Sequence, residues 1–270
     1  MNQPEPANEP VHEGWPEQAP DPTPPAQGPL FGLRQWQRQQ QRKRCTREAR
    51  LHILQSAMRL LDFNGIDGDY VEFGCFRAET LPLAHRINGM LPMQRHLWAI
   101  DSFQGIPAPQ GFRDLHPRWS EGRKFTSAAD FQRRCRRHGV PESAMTTVIC
   151  PYPELNALAA DQLPDNIALV YVNCYLHSQV AHVLELLRPR LKQGMLIVFD
   201  NYFACSRFHQ SGDRAAFEQF QRSTNAFHFC RYQTFGFAGC SFIAEEHFAG
   251  CCMRCFRRLG ERCAEETAAL

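Results

Sequence analysis

The sequence predicts an α/β protein built on a doubly wound, mostly parallel, seven-stranded sheet of Rossmann-like type that ends in a C-terminal antiparallel hairpin. Three observations carry that expectation. Short apolar runs alternate five times with helix-forming stretches between residues 68 and 222. The fourth run, 168–172, is continuously apolar, as strands covered on both faces are. Two more apolar runs follow the last helix with a Gly-containing turn between them, which pairs them antiparallel.

Each element can be justified in chain order. Residues 1–30 cluster Pro, Glu, Ala and Gln, cannot bury enough apolar surface to order, and read as a disordered tail. Residues 31–67 read as a helical lead-in. Its first part is rich in Arg and Gln around Trp36. Its second is a helix capped by Thr46, with Leu51, Leu54, Ala57, Met58 and Leu61 on one apolar stripe. Turn residues 64–69 lead to a strand at 70–73, stopped by Gly74, and a helix at 78–87. A second strand, 96–100, ends at Asp101; a helix spans 126–139, with Thr126 as cap and Gly139 as stop. Strands follow at 145–149 and 168–172, then a helix at 178–191 closed by Gly194. A fifth strand, 195–199, ends at Asp200; a helix at 213–222 precedes the hairpin, 227–232 with 239–244. The sheet domain therefore covers residues 68–246, and residues 247–270 form a basic, Cys-rich tail.

Composition narrows the function classes. The 270 residues are 43% hydrophobic, enough for a large core. A net charge of +2 is too near balance for nucleic acid to be the main partner. No uncharged apolar run reaches the ~18 residues of a membrane span. The acidic, Pro-rich start does not read as a secretory signal, so the twelve cysteines are expected as reduced thiols in a cytoplasmic setting. Cys75, Cys150, Cys174 and Cys240 fall inside apolar patterns, as small buried hydrophobes do. Cys252 and Cys255, beside Cys251 and Cys263, have zinc-ligand spacing, but no second pair follows and free thiols are the plainer reading. The sequence leaves a homodimer open.

Ligands of such sheets bind beyond the carboxyl ends of the strands, so the residues just after each strand carry the information. Gly74 lets the backbone approach a ligand, and Glu72 before it can accept hydrogen bonds from an amine. Asp101, at the end of the second strand, can take both hydroxyls of a ribose; its ordinary alternative is a turn-capping Asp.

These residues sit in two longer motifs, Val71-Glu72-Phe73-Gly74-Cys75-Phe76-Arg77 and Asp101-Ser102-Phe103-Gln104-Gly105-Ile106-Pro107. Together they resemble the macrocin O-methyltransferase (TylF-type) family of class I methyltransferases. Leu176, Ser178, the segment from Pro189 to Gly194, Phe199-Asp200-Asn201-Tyr202 and the run from Gly212 to Phe220 extend the resemblance. It implies S-adenosylmethionine as cofactor, held by Glu72, Gly74, Asp101 and Ser102, and methyl transfer to a hydroxyl of a small molecule such as a sugar or glycosylated metabolite. It also implies a divalent-metal site, of which Asp200 is the surviving acid. The family pattern Asp-x-Asp-Leu-Tyr is here Asn173-Cys174-Tyr175-Leu176-His177, and Asp-Asp-Tyr is Asp200-Asn201-Tyr202. Mg²⁺ favours anionic oxygen, so one carboxylate and two amides should hold it poorly. Asn173 has no useful basicity. Asp200, His177 and His209 are the candidate catalytic groups near the acceptor, and each histidine has a plain alternative as a surface or capping residue. The departures keep open a second expectation, a silent protein of this fold that binds cofactor or a partner without turnover.

Overall fold

The computed structural model of the chain describes residues 29–247. The tail 1–28 and the Cys-rich segment 248–270, with its Cys252 and Cys255, lie outside the described residues. Contacts divide the chain into two units at Lys43 and Arg44. The first holds the leading part of helix α1 (Pro29–Phe63), and the second holds everything from Arg44 onward. The two helices expected before residue 64 are one, because no Gly or Pro interrupts residues 33–63; Thr46 lies inside it and is not a cap. Asn64 and Gly65 stop it, with the Ile66 amide donating back to the Leu61 carbonyl at 2.9 Å.

The strands are β1 (Asp69–Phe73), β2 (Leu97–Asp101), β3 (Met145–Ile149), β4 (Ile167–Val172), β5 (Leu196–Phe199), β6 (Phe227–Phe235) and β7 (Gly239–Glu246). They form one seven-stranded sheet in the order β3-β2-β1-β4-β5-β7-β6. The first five are parallel, and β7 joins antiparallel between β5 and β6. Order reverses between β1 and β4, which makes their carboxyl ends the switch point where ligands of such sheets bind.

Helices α2 (Leu81–Asn88), α3 (Ala128–Arg137), α4 (His177–Leu187) and α5 (Gly212–Arg222) complete the fold. Pleating divides the strands between two cores. Tyr70, Ala99, Leu169, Tyr171 and Val198 pack under Ile53, Leu54, Ala57, Met58 and Leu61 of α1, with Leu81 and Phe131. Val71, Phe73, Val170, Val172 and Phe199 pack against Val180, Val183 and Leu184 of α4 and Phe217 of α5. The α1 stripe is thus as expected except that Ile53, not the half-buried Leu51, is in the core. The domain reaches back into α1 and does not start at residue 68. Two helix starts also differ. Helix α2 begins three residues later than expected, because Phe76 (φ 37°) and Ala78 (φ 54°) turn the chain left-handed first. Helix α3 is capped by Ser127, whose hydroxyl accepts the Asp130 amide at 3.1 Å, and not by Thr126. Among the described residues no helix is long and apolar enough to cross a membrane.

Candidate active site

The parallel strands bring Gly74, Asp101, Cys150 and Asn173 to one edge of the sheet. The ladder continues through them: Gly74 N–H donates to Ile100 O, Asn173 N–H to Phe73 O, and Cys150 N–H to Asp101 O. A cleft opens there. Its wall is formed by Gly74 and Phe76 after β1, Asp101, Gly105 and Ile106 at β2, Lys124, Tyr152 after β3, and Asn173, Cys174, Tyr175 and Gln179 after β4.

Gly74 is required by close packing of backbone on backbone. Its φ is +82°, and a Cβ would stand 2.5 Å from the Asn173 carbonyl oxygen. Asp101 holds the loop above it. Its Oδ2 accepts the Cys75 amide at 2.7 Å and the Phe76 amide at 3.4 Å, and its Oδ1 accepts the Phe103 amide at 2.8 Å. Burial pushes its carboxyl up, against the pull of those amides.

The segment after β2 folds over the cleft and returns. The Ile106 amide donates to Arg123 O at 2.8 Å and the Gly122 amide to Ile106 O at 2.9 Å. Asp114 ties it to α4, accepting the Ser178 amide and hydroxyl, both at 2.8 Å, a favourable place for a negative charge. Lys124 follows directly, at φ 61°. Its ammonium lies 5.2 Å from the Phe76 ring centre and 5.6 Å from that of Tyr175. Burial lowers its pKa, the neighbouring Arg50, Arg123 and Arg77 lower it further, and Glu79 opposes them.

Not every expected residue reaches this cleft. Glu72 is fully buried beneath it. Its Oε2 accepts the Tyr70 hydroxyl at 2.7 Å, and its Oε1 has no partner. Burial pushes its pKa up to about 8, despite the Tyr70 hydrogen bond and the charge of Arg50. Ser102 is also buried, its hydroxyl accepting the Gln104 amide at 3.3 Å. His177 opens α4 and its Nε2 pairs with Gln219 at 2.6 Å. His209 lies edge-on to Phe112, its Nε2 buried without a partner. Neither histidine is on the cleft wall.

Asp200 is engaged elsewhere. The guanidinium of Arg50, from α1, grips both carboxylate oxygens, Nε to Oδ1 at 3.1 Å and Nη2 to Oδ2 at 2.6 Å. Tyr171 donates to Oδ1 at 2.6 Å, and the third arm of Arg50 reaches Glu79 at 2.6 Å. Burial works against the Arg50 charge, but the Asp200 carboxylate outweighs it and the pKa ends raised. Beside this pair, Asn201 Nδ2 donates to Asn173 Oδ1 at 3.3 Å and to Cys174 O at 3.0 Å. Asp213 accepts the Asn201 amide at 3.3 Å and so anchors the loop that carries both residues. This donor set does not fit a divalent cation: its one carboxylate is already paired with a cation, and an amide nitrogen points where an oxygen is needed. Among the described residues no group of three His, Cys, Asp or Glu converges as metal ligands do.

A doubly wound sheet ending in an antiparallel pair, with an acid and a glycine at its switch point, defines the class I methyltransferase fold. The sequence profile of the macrocin O-methyltransferase (TylF) family matches residues 40–226, and the chain belongs to that family of O-methyltransferases. Comparison with curated proteins gave no match. Among solved structures, the O-methyltransferase NovP is similar over 73% of this chain and 80% of its own, with 19% identity and a TM-score of 0.58. The calicheamicin methyltransferase CalS11 is similar over 72% and 77%, with 20% identity and a TM-score of 0.59. An apo structure of CalS11, described as a TDP-rhamnose 3′-O-methyltransferase, scores 0.51. At these identities the likeness is one of fold.

The profile motifs pointed to Gly74, Asp101 and Asn173 on the cleft wall. They missed Lys124 and Gln179, which no local pattern marks. Tyr175 stood in view only as a departure from one of the family's acids, and Cys174 only as a small buried hydrophobe.

Proposed function

We propose that this chain is an S-adenosylmethionine-dependent O-methyltransferase acting on a hydroxyl of a small molecule, of the sugar or glycosylated-metabolite class. The observation that carries the reading is the cleft at the β1/β4 switch point, where Gly74 lets two backbones meet and Asp101 presents a carboxylate. Asp101 would receive a ribose hydroxyl at the carboxylate that also holds the Cys75–Phe76 turn. Glu72 and Ser102 support that wall from behind. The cofactor, when bound, supplies the methyl group on a sulfonium centre. The hydroxyl proton needs an acceptor, and Lys124 is our choice. It is on the wall, and burial shifts it toward the neutral amine, whereas Tyr152, Cys174 and Tyr175 are shifted away from their anions. The sugar-class acceptor is suggested by the activity of CalS11.

One observation favours a second reading, binding without turnover: neither Asp200 nor either histidine lies on the cleft wall. Titration calorimetry with S-adenosylmethionine and S-adenosylhomocysteine, followed by transfer of labelled methyl to a panel of sugars and glycosides, separates the two. Binding with transfer to a panel member is the expected result. Binding with no transfer across a broad panel favours the silent reading, and failure to bind either compound rejects the methyltransferase reading and leaves only a silent protein that binds a partner.

A further inference from the structure

We infer that the guanidinium of Arg50 is the built-in cation of this site, so that Arg50 and a divalent ion are mutually exclusive occupants beside Asp200. The inference concerns ion binding alone and stands whether or not the chain transfers methyl groups.

Asp200 and Glu79 bring two carboxylates together, and Arg50 bridges them with three of its nitrogens at 2.6–3.1 Å. The Arg50 and Asp200 side chains are each only 11% exposed. An acid this buried must be paired, and a planar guanidinium gripping both oxygens is the strongest pairing a side chain offers. Tyr171 fills a further acceptor position of Asp200, so both oxygens are in use. A divalent ion placed here would face a fixed positive charge and would have to strip Asp200 from it.

The neighbouring amides fit the same conclusion. Asn201 Nδ2 has two oxygen acceptors, Asn173 Oδ1 and Cys174 O. That fixes which end of the amide points inward, and it is the donor end. With carboxylates at 173 and 201, two negative charges would meet at this spot and only a cation could hold them together. With Asn at both, neither position adds a negative charge, and Asp200 is balanced by Arg50. The amides and the guanidinium are thus one arrangement rather than two separate departures.

The test is a Mn²⁺ titration followed by the electron paramagnetic resonance of the free ion. It uses the full chain, its Asn173→Asp/Asn201→Asp double variant, and a triple variant that adds Arg50→Met, each checked for folding by circular dichroism. The full chain and the double variant should show no saturable binding below about 1 mM. The double variant should melt lower than the parent, with no rescue by Mn²⁺. The triple variant should bind Mn²⁺ at least about tenfold tighter than the double, and Asp200→Asn should abolish that binding. Equal binding by double and triple variants would overturn the inference, as would binding by the full chain that is lost on Asp200→Asn. Should the triple variant not fold, the double variant decides: Mn²⁺ binding with Arg50 intact refutes, and lowered melting without rescue supports.

Discussion

Glu72 should make the protein lose stability as pH rises through neutrality, and Glu72→Gln should remove that loss. The carboxyl is fully buried, and burial moves it from 4.5 to about 8. The folded protein therefore holds this proton over a pH range in which the unfolded chain has released it. Where the folded state binds more protons, stability falls with pH. The penalty is absent below pH 4.5, grows from there, and is complete above about pH 8. Moving a carboxyl that far corresponds to about 5 kcal/mol at most. Gln can still accept the Tyr70 hydroxyl, but it puts an amide N–H₂ where Oε1 now has no partner. That adds a roughly constant cost of about 1–3 kcal/mol. Urea unfolding of parent and variant from pH 5 to pH 9 gives the difference between them, in which the other titrating groups cancel. The variant should gain on the parent by several kcal/mol across that range. A pH-independent difference would show that Glu72 is ionised in the folded protein and that the buried carboxyl has been misread.

Other substitutions test the packing around the cleft. Arg50→Met strands the buried Asp200 and should cost about 3–5 kcal/mol in urea unfolding at neutral pH; a loss under 1 kcal/mol would show the ion pair to be incidental. Gly74→Ala forces a Cβ against the Asn173 carbonyl at a left-handed φ and should cost about 3 kcal/mol, combining backbone strain with overpacking; melting unchanged from the parent would contradict the close approach. Ser127→Ala removes the cap of α3 and should cost about 1 kcal/mol, a loss that Thr126→Ala would produce instead if the cap were one residue earlier. Lys124→Arg keeps the charge but cannot act as a base. It should leave cofactor affinity within about threefold and abolish methyl transfer, and full transfer by this variant would return the search for the proton acceptor to the histidines.

The strands were legible because a parallel strand covered on both faces has no polar position to spare. The run at β4 is apolar and buried from end to end, and the limits of β1 to β5 fall within a residue of the expectation. Helix starts were less legible. Nothing in Phe76 or Ala78 announces a left-handed residue, so α2 was read three residues early. The missed cleft residues have a different cause. Lys124 reaches the wall only because the chain near Ile106 pairs with that near Arg123, a contact between backbones that leaves no trace in side-chain pattern.

Asp200 shows the limit most clearly. Read locally, Asp200-Asn201 after a strand and Asn173 after another looked like a metal site with its acids removed, and the loss had no visible compensation. The compensation lies 150 residues earlier, on the helix that the sequence presents as a lead-in to the domain. Arg50 is one of six arginines between residues 34 and 50, and nothing in the sequence separates it from the others. Its distinction is positional. It lies three residues before Ile53, where α1 turns its apolar stripe onto the sheet, so it is the first arginine of the series drawn below the surface. A helix that packs by Ile53, Leu54, Ala57, Met58 and Leu61 must place residue 50 on the same face one turn earlier. There the sheet ends and its carboxylates begin. The apolar stripe therefore sets the register of the charge, and the charge stands where the acids of the strand ends need a partner.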